Sequence, residues 1–303
     1  MVTACMPVWN AECFVEPVLR SLAVQTYRNL QVLISDDASS DGSPAICEAF
    51  ASGRPGWRIQ RQEVNLGWIA NVNWLMREAD GEYLFFAFHD DPLEPTYVER
   101  LVEALERVPD APLAFTDIIL EEELSDGSKS VTVSSFDALD RAGTRLSRLR
   151  VFQAMTYHWF IPNRGLFRKS AARQVGFMRR NLAGEFCADL PWLIGLSLLG
   201  PFVRVPEPLI RKNWRAKGLS RSWRWTFAKR VALLLACLAT ILRSPLGALE
   251  RTWLVAQFCG FWTLRVLQKA FGDGRRTDSG AHVQPVEVVM DRSAATLAAG
   301  EQA

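Results

Sequence analysis

Apolar residues fall in short runs along the first third of the chain, and stretches of helical spacing separate them. Residues 2–8 are an apolar run that Pro7-Val8-Trp9-Asn10 breaks. Val15, Val18, Leu19 and Leu22 share one face of a helix expected over 12–23. A second strand over 30–34 ends in the polar run Ser35-Asp36-Asp37-Ala38-Ser39-Ser40-Asp41-Gly42-Ser43. A helix over 44–50, a strand over 57–62, a turn at Asn65-Leu66-Gly67 and a helix over 69–79 carrying Asn71 and Asn73 follow. After a turn at Asp80-Gly81, the nearly unbroken run 83–88 suits a strand buried on both faces. It stops abruptly at Asp90 and Asp91. This alternation predicts a doubly wound α/β sheet. Right-handed crossovers bring the loops at 7–12, 35–41 and 88–91 to one edge, where open sheets bind ligands.

Farther on, Tyr97, Leu101 and Leu105 mark a helix, and a strand over 113–116 precedes Asp117. Residues 121–150 are charged and poorly periodic; a hairpin or excursion is expected over 121–133, with a turn at Asp126-Gly127. Residues 151–167 are aromatic and polar, including Tyr157, His158, Trp159, Asn163, Arg164 and Gly165, and a helix over 169–175 follows. Asp189 stands at the start of a helix of little charge over 190–199, ahead of a strand over 202–205. Two strongly apolar helices, 225–242 and 249–271, flank Ser244-Pro245-Leu246-Gly247. Their uncharged cores are shorter than the ~18–20 residues of a spanning helix. The small, polar residues 273–303 are expected to be disordered.

Charge changes this picture only in the last third. The 303 residues carry a formal charge of +2. Between Glu207 and Glu250, however, there is no acid and there are nine bases: Arg211, Lys212, Arg215, Lys217, Arg221, Arg224, Lys229, Arg230 and Arg243. A basic stretch leading into Trp-rich apolar helices suits the interface of an anionic membrane, through residues 211–271. The alternative is a helical hairpin packed on the preceding domain or on a second copy. Nucleic acid is not an expected partner. The six cysteines form no CxxC pair, which disfavours zinc or thioredoxin-type chemistry. Buried thiols in a reducing compartment are expected. No basic n-region opens the chain, so no signal peptide is expected.

Adjacent carboxylates at Asp90 and Asp91 repel, and a cation beside them relieves this. Mg²⁺ and Mn²⁺ take oxygen ligands and bridge to phosphates. The alternative is that the two acids cap the next helix, with Pro92 in its first turn. No GxGxxG or GxxxxGK[ST] is present, so a Rossmann or P-loop turn does not hold the phosphates.

Pro7-Val8-Trp9-Asn10, Ser35 to Gly42, Asn65-Leu66-Gly67 with Asn73, Gly81-Glu82-Tyr83 and His89-Asp90-Asp91 with Pro95 resemble, in order and spacing, the family 2 glycosyltransferases of GT-A fold. The resemblance implies inverting transfer from a nucleotide-diphosphate sugar, helped by a divalent metal. It implies that Asp37 contacts the base, that Trp9 lines the base pocket, and that Asp90 is the metal ligand with Asp91 beside it. Pro7, Asn10, Glu12, Asn73 and Arg211 join them as candidate donor contacts. Phe88 stands where the family often has an acid. Glu185 to Trp192 resembles the segment with the family's catalytic Glu-Asp; Ala188 replaces the Glu and Asp189 keeps the Asp. A base is needed because a sugar hydroxyl is a poor nucleophile. The alternative for Asp189 is a helix cap. Asp117, His158, Trp159 and Gly165 are acceptor-side candidates.

The expected organisation is a GT-A catalytic domain over 1–220, with a donor half (1–120) and an acceptor half (121–220), then an amphipathic helical region over 221–272. The expected enzyme glycosylates a glycan or lipid-linked acceptor in cell-surface polysaccharide synthesis, in the cytoplasm, at the inner face of the membrane. Two rivals are a non-catalytic sugar-nucleotide-binding scaffold and a sugar nucleotidyltransferase. The second lacks the Gly-rich basic loop it needs after the first strand.

Overall fold

The computed structural model describes residues 1–123, 129–135, 160–214 and 225–271. Four parallel strands, β1 (Val2–Val8), β2 (Leu30–Asp36), β3 (Trp57–Arg61) and β4 (Tyr83–Phe86), lie in the order β3-β2-β1-β4. Helices α1 (Val15–Ala23), α2 (Ser43–Ala51) and α3 (Trp68–Glu78) connect them. α1 buries Val15, Val18, Leu19 and Leu22, the face its spacing predicts. β4 is buried throughout, as a central parallel strand must be.

After α4 (Tyr97–Arg107) the sheet turns mixed. β5 (Leu113–Glu123) pairs antiparallel with β6 (Lys129–Ser134) and with β7 (Leu166–Arg168), and parallel with β8 (Phe202–Trp214). β7 is antiparallel to β4 as well, so three residues splice the two halves of the sheet. β7 follows a 3-10 turn, Pro162–Arg164, and leads into α5 (Lys169–Val175) and then α6 (Asp189–Ser197). Phe86, Phe167 and Trp192 pack with ring centroids 5.0–5.9 Å apart across this junction.

Two strands depart from their expected bounds. β5 runs to Glu123 and β8 to Trp214 because their extensions pair with each other, from Ile118↔Ile210 to Glu122↔Trp214. The strand expected over 202–205 continues past Pro206 and Pro208, which both fall within a register shift opposite Thr116 to Ile118. The ladder is already interrupted there, which is where a strand tolerates proline. The hairpin expected over 121–133 exists as β5–β6, and its Asp126-Gly127 turn lies outside the described residues.

α7 (Phe227–Arg243) and α8 (Ala248–Phe271) close the described chain. Leu233, Cys237 and Ile241 of α7 join the core with Leu254 and Phe258 of α8, and α7 packs along α6. On its outer side α7 leaves Phe227, Val231, Leu235 and Leu242 exposed, a single face at helical spacing. No described helix is long and apolar enough to cross a membrane. Cys5, Cys47, Cys187 and Cys237 are buried free thiols. Burial pushes Cys5 and Cys47 up to about 12, which keeps them unreactive.

Candidate active site

The C-terminal ends of β1, β2 and β4 lie side by side, and the loops at 7–12, 35–41 and 88–91 meet there. The Asp37 N–H donates to the Val8 carbonyl (2.8 Å), and His89 Nδ1 lies 3.3 Å from the Pro7 carbonyl. Asn10 receives Ser40 N–H at its Oδ1 (2.9 Å), and its own N–H donates to Ser39 Oγ (2.9 Å). Its φ of 47° is left-handed, a region asparagine tolerates. Glu12 Oε2 accepts from Gly42 N–H (3.0 Å). Asn10 and Glu12 thus tie loop to loop, and Trp9 is left with half its surface open.

Asp37 is nearly buried. Its Oδ1 accepts from Leu66 N–H (2.7 Å) and its Oδ2 from Gly67 N–H (3.1 Å). Burial raises its pKa, the two N–H bonds pull it back, and Asp36 and Glu185 raise it further. The carboxylate braces the Asn65-Leu66-Gly67 turn, where Gly67 has φ 83° and the Glu185 carboxylate fills the place of a side chain. Asn73 meets Met178 in both directions, Nδ2 to its carbonyl (2.9 Å) and Oδ1 from its N–H (3.0 Å). That amide binds α3 to the segment leading to α6.

Asp90 and Asp91 cap no helix, since α4 begins behind Thr96. Their side chains part. Asp91 is fully buried, and its Oδ2 accepts from Arg164 Nε (2.7 Å) and Nη2 (2.5 Å). Arg164 also donates Nη1 to the Phe160 carbonyl (2.6 Å) and lies over the Phe88 ring at 5.0 Å. Phe88, standing where an acid was the alternative, therefore supports a buried guanidinium. Placing both acids on one metal needs correction: Asp91 is committed to Arg164, whose charge opposes a second cation. Asp90 is partly exposed. Asn213 Nδ2 donates to its backbone carbonyl (2.8 Å), and among the described residues no hydrogen bond occupies its carboxylate. No cluster of three His, Cys, Asp or Glu among the described residues is arranged to hold a metal. One open carboxylate still suits a hard divalent cation that takes its other oxygens from a diphosphate. Asp90 fits that duty and Asp91 does not.

Asp189 occupies the first turn of α6, behind Ala188 at the N-cap. Asn163 Nδ2 donates to its Oδ2 (3.0 Å), and Leu190 N–H to its Oδ1 (3.1 Å). Neighbouring residues of one 3-10 turn thus hold two acids: Asn163 orients Asp189 and Arg164 neutralises Asp91. The third wall is β8. Glu94 N–H donates to the Leu209 carbonyl (2.8 Å), and Arg211 N–H to that of Pro92 (3.0 Å), so β8 is laced along residues 90–94. Lys212 stands between Arg211 and Asn213. Burial lowers its pKa and Arg164 lowers it further, while Asp91, Asp90 and Asp189 raise it. One ammonium therefore lies in the field of all three acids.

Three other expected site residues have structural work. Arg211 pairs with Glu121 (2.9 Å) and Glu94 (3.4 Å). Asp117 makes a bidentate pair with Arg204, at 2.7 and 2.8 Å, beside the β5–β8 register shift. A side chain on Gly165 would run into the Ala114 carbonyl, so its close backbone approach is to β5. His158 and Trp159 lie outside the described residues.

The family model described as glycosyl transferase family 2 matches residues 3–176, more than half of the chain. The chain belongs to glycosyl transferase family 2. This family 2 chain is 33% identical over 104 residues to glycosyltransferase GlyA of Streptococcus pneumoniae, covering 34% of the chain and 15% of GlyA. It is 23% identical over 213 residues to an uncharacterized glycosyltransferase of Haemophilus influenzae, covering 70% of the chain and 64% of that protein. It thus spans less than two thirds of either relative. Among solved structures, TarS of S. aureus in complex with UDP-GlcNAc shares the fold at TM-score 0.67 and 14% identity, over 90% of the chain and 76% of TarS. Mannosyltransferase PcManGT of Pyrobaculum calidifontis, in complex with GDP-Man and Mn²⁺, does so at 0.54 and 16%, over 90% and 76%. The family 2 chain has the expected GT-A fold.

Proposed function

We propose that this family 2 chain is an inverting glycosyltransferase, moving a sugar from a nucleotide diphosphate onto a hydroxyl of a glycan or lipid-linked acceptor in cell-surface polysaccharide synthesis. The observation that carries this is the shared 3-10 turn: Asn163 orients Asp189, Arg164 holds Asp91, and Asp90 stays open in the field of Lys212. The nucleotide base packs on Trp9 at the ends of β1 and β2, and the diphosphate faces Asp90 and Lys212. A divalent cation bound through Asp90 would add positive charge at the diphosphate oxygens. Asp189 takes the proton of the acceptor hydroxyl as that oxygen bonds to C1. The bond from C1 to the diphosphate breaks on the opposite face, and its electron pair leaves with the nucleotide. Lys212 offsets the charge that develops there. A single displacement inverts C1.

The exposed face of α7, with Lys229, Arg230 and Arg243 on the same helix, supports work at an anionic membrane from the cytoplasmic side. Residues 1–220 then form the catalytic unit and 221–272 its membrane-facing appendage.

Calorimetry with UDP, GDP and dTDP, with and without Mn²⁺, tests the reading. One nucleotide binds, and Asp90→Ala weakens its Mn²⁺-dependent binding about tenfold or more. Failure of all three to bind refutes the proposal.

A further inference from the structure

A nucleoside diphosphate carries its ribose between base and diphosphate. In the proposed site the base packs on Trp9, after β1, and the diphosphate faces Asp90, after β4. β1 and β4 are neighbours, so the ribose crosses the gap between their ends. His89 bridges that gap. Its Nδ1 lies 3.3 Å from the carbonyl of Pro7, two residues before Trp9, and its own backbone leads into Asp90. A carbonyl oxygen only accepts, so Nδ1 carries the hydrogen, and Nε2 on the far side of the ring holds a lone pair. His89 is partly exposed, and among the described residues no hydrogen bond reaches Nε2.

The other polar side chains of this edge hold the protein itself. Asp37 accepts from Leu66 and Gly67. Asn10 Oδ1 and Glu12 Oε2 accept from the backbone of Ser40 and Gly42, and Asp91 accepts from Arg164. Phe88 sets its ring beneath the Arg164 guanidinium at 5.0 Å and has no polar side-chain atom to offer. We infer that His89 Nε2 accepts a hydrogen bond from a ribose hydroxyl of the donor, which makes His89 a specificity contact for the nucleoside. This rests on the nucleotide-sugar reading of the site. If the partner is the 2′-hydroxyl, donors linked to dTDP, which lack it, are disfavoured.

The test is calorimetry of the full chain with Mn²⁺, using whichever of UDP and GDP binds, and the 2′-deoxy and 3′-deoxy forms of that nucleotide. One lost hydrogen bond between uncharged groups is worth about three- to tenfold in affinity. One deoxy form should therefore bind about three- to tenfold more weakly than the parent. His89→Ala should close that gap by weakening the parent nucleotide while leaving the deoxy form unchanged, and His89→Gln, which offers both a donor and an acceptor, should keep more of it. The loop tolerates these changes, because Ala87 N–H to the Cys5 carbonyl (2.9 Å), Asp91 N–H to that of Phe88 (3.1 Å) and Asn213 to that of Asp90 (2.8 Å) hold it without the ring. A ring nitrogen that merely faces water gives both deoxy forms the affinity of the parent to within about threefold, and that result overturns the inference. So does a full gap that persists in His89→Ala, equal weakening of parent and deoxy form by His89→Ala, or a site that binds dTDP and neither ribonucleotide. Nucleotide binding without the gap removes this contact alone; failure of every nucleotide to bind removes the transferase reading and the contact with it.

Discussion

Replacing Arg164 with Met tests whether Asp91 belongs to the scaffold or to a metal. The pair is almost wholly inside: the Asp91 side chain is inaccessible and that of Arg164 is 7% exposed. Arg164→Met leaves a buried carboxylate whose Oδ2 has lost both charged donors and whose Oδ1 already has no partner among the described residues. Breaking a buried pair from one side costs about 3–5 kcal/mol, a large share of the roughly 5–15 kcal/mol that keeps a protein folded. Removing both charges is another matter, because a well-packed apolar replacement is often neutral. Asp91→Leu combined with Arg164→Met should therefore recover most of the loss. Urea unfolding followed by tryptophan fluorescence measures this. With a slope of about 3 kcal/mol/M, the single change lowers the midpoint by about 1–1.7 M. A single-variant loss under about 1 kcal/mol refutes the argument. So does an Asp91→Asn protein of undiminished stability that has lost Mn²⁺-dependent nucleotide binding, since Asp91 would then be a ligand.

The remaining predictions address the base, a backbone contact, a pH dependence and the surface. Asp189→Asn should keep nucleotide affinity and lower transfer by about 10²–10⁴-fold, and Asn163→Ala should lower kcat with KM for the donor unchanged; a donor KM that rises in step with lost turnover contradicts the assignment. Gly165→Ala should cost about 1–3 kcal/mol of unfolding free energy, because the new methyl meets the Ala114 carbonyl. Asp37 has its pKa raised, chiefly by burial, so the native state holds that proton more tightly than the unfolded chain. Its contribution to stability must fall as pH rises from the ordinary aspartate range through the raised native value, and stay flat above it. Wild-type minus Asp37→Asn unfolding free energies across that window should slope downward with pH; an upward slope means the Leu66 and Gly67 bonds outweigh burial. Phe227→Asp with Leu249→Asp, at positions 73% and 89% exposed, should reduce co-sedimentation with anionic vesicles at unchanged Tm.

The fold was legible where local periodicity decides it. α1 buries the four residues its spacing selects, and β1, β2 and β4 follow their apolar runs closely. The prediction failed where a strand depends on a distant partner. Nothing near Thr116 says that β5 continues to Glu123, because its extension exists through pairing with residues about 90 positions away. The strand expected over 202–205 was too short for the same reason: the register shift that accommodates Pro206 and Pro208 is set by pairing with β5.

The site shows the same limit more sharply. Motif spacing brought the right loops to one edge, but it could not say which carboxylate faces out. Asp90 and Asp91 are equivalent along the chain. Arg164, more than seventy residues later, makes the difference by taking one of them. Asp117 and Arg211 likewise carry charge at plausible places, and Arg204, Glu94 and Glu121 claim them. A charged residue is a candidate contact only if no nearer opposite charge satisfies it, and that competition is settled by tertiary structure. One signal was available: an uncharged hydrogen-bonding side chain and a guanidinium, Asn163 and Arg164, stand together just before a glycine that must pass close to β5. Two polar side chains of that kind entering a core strand must be matched inside it. The buried acids at Asp91 and Asp189 are the partners they find.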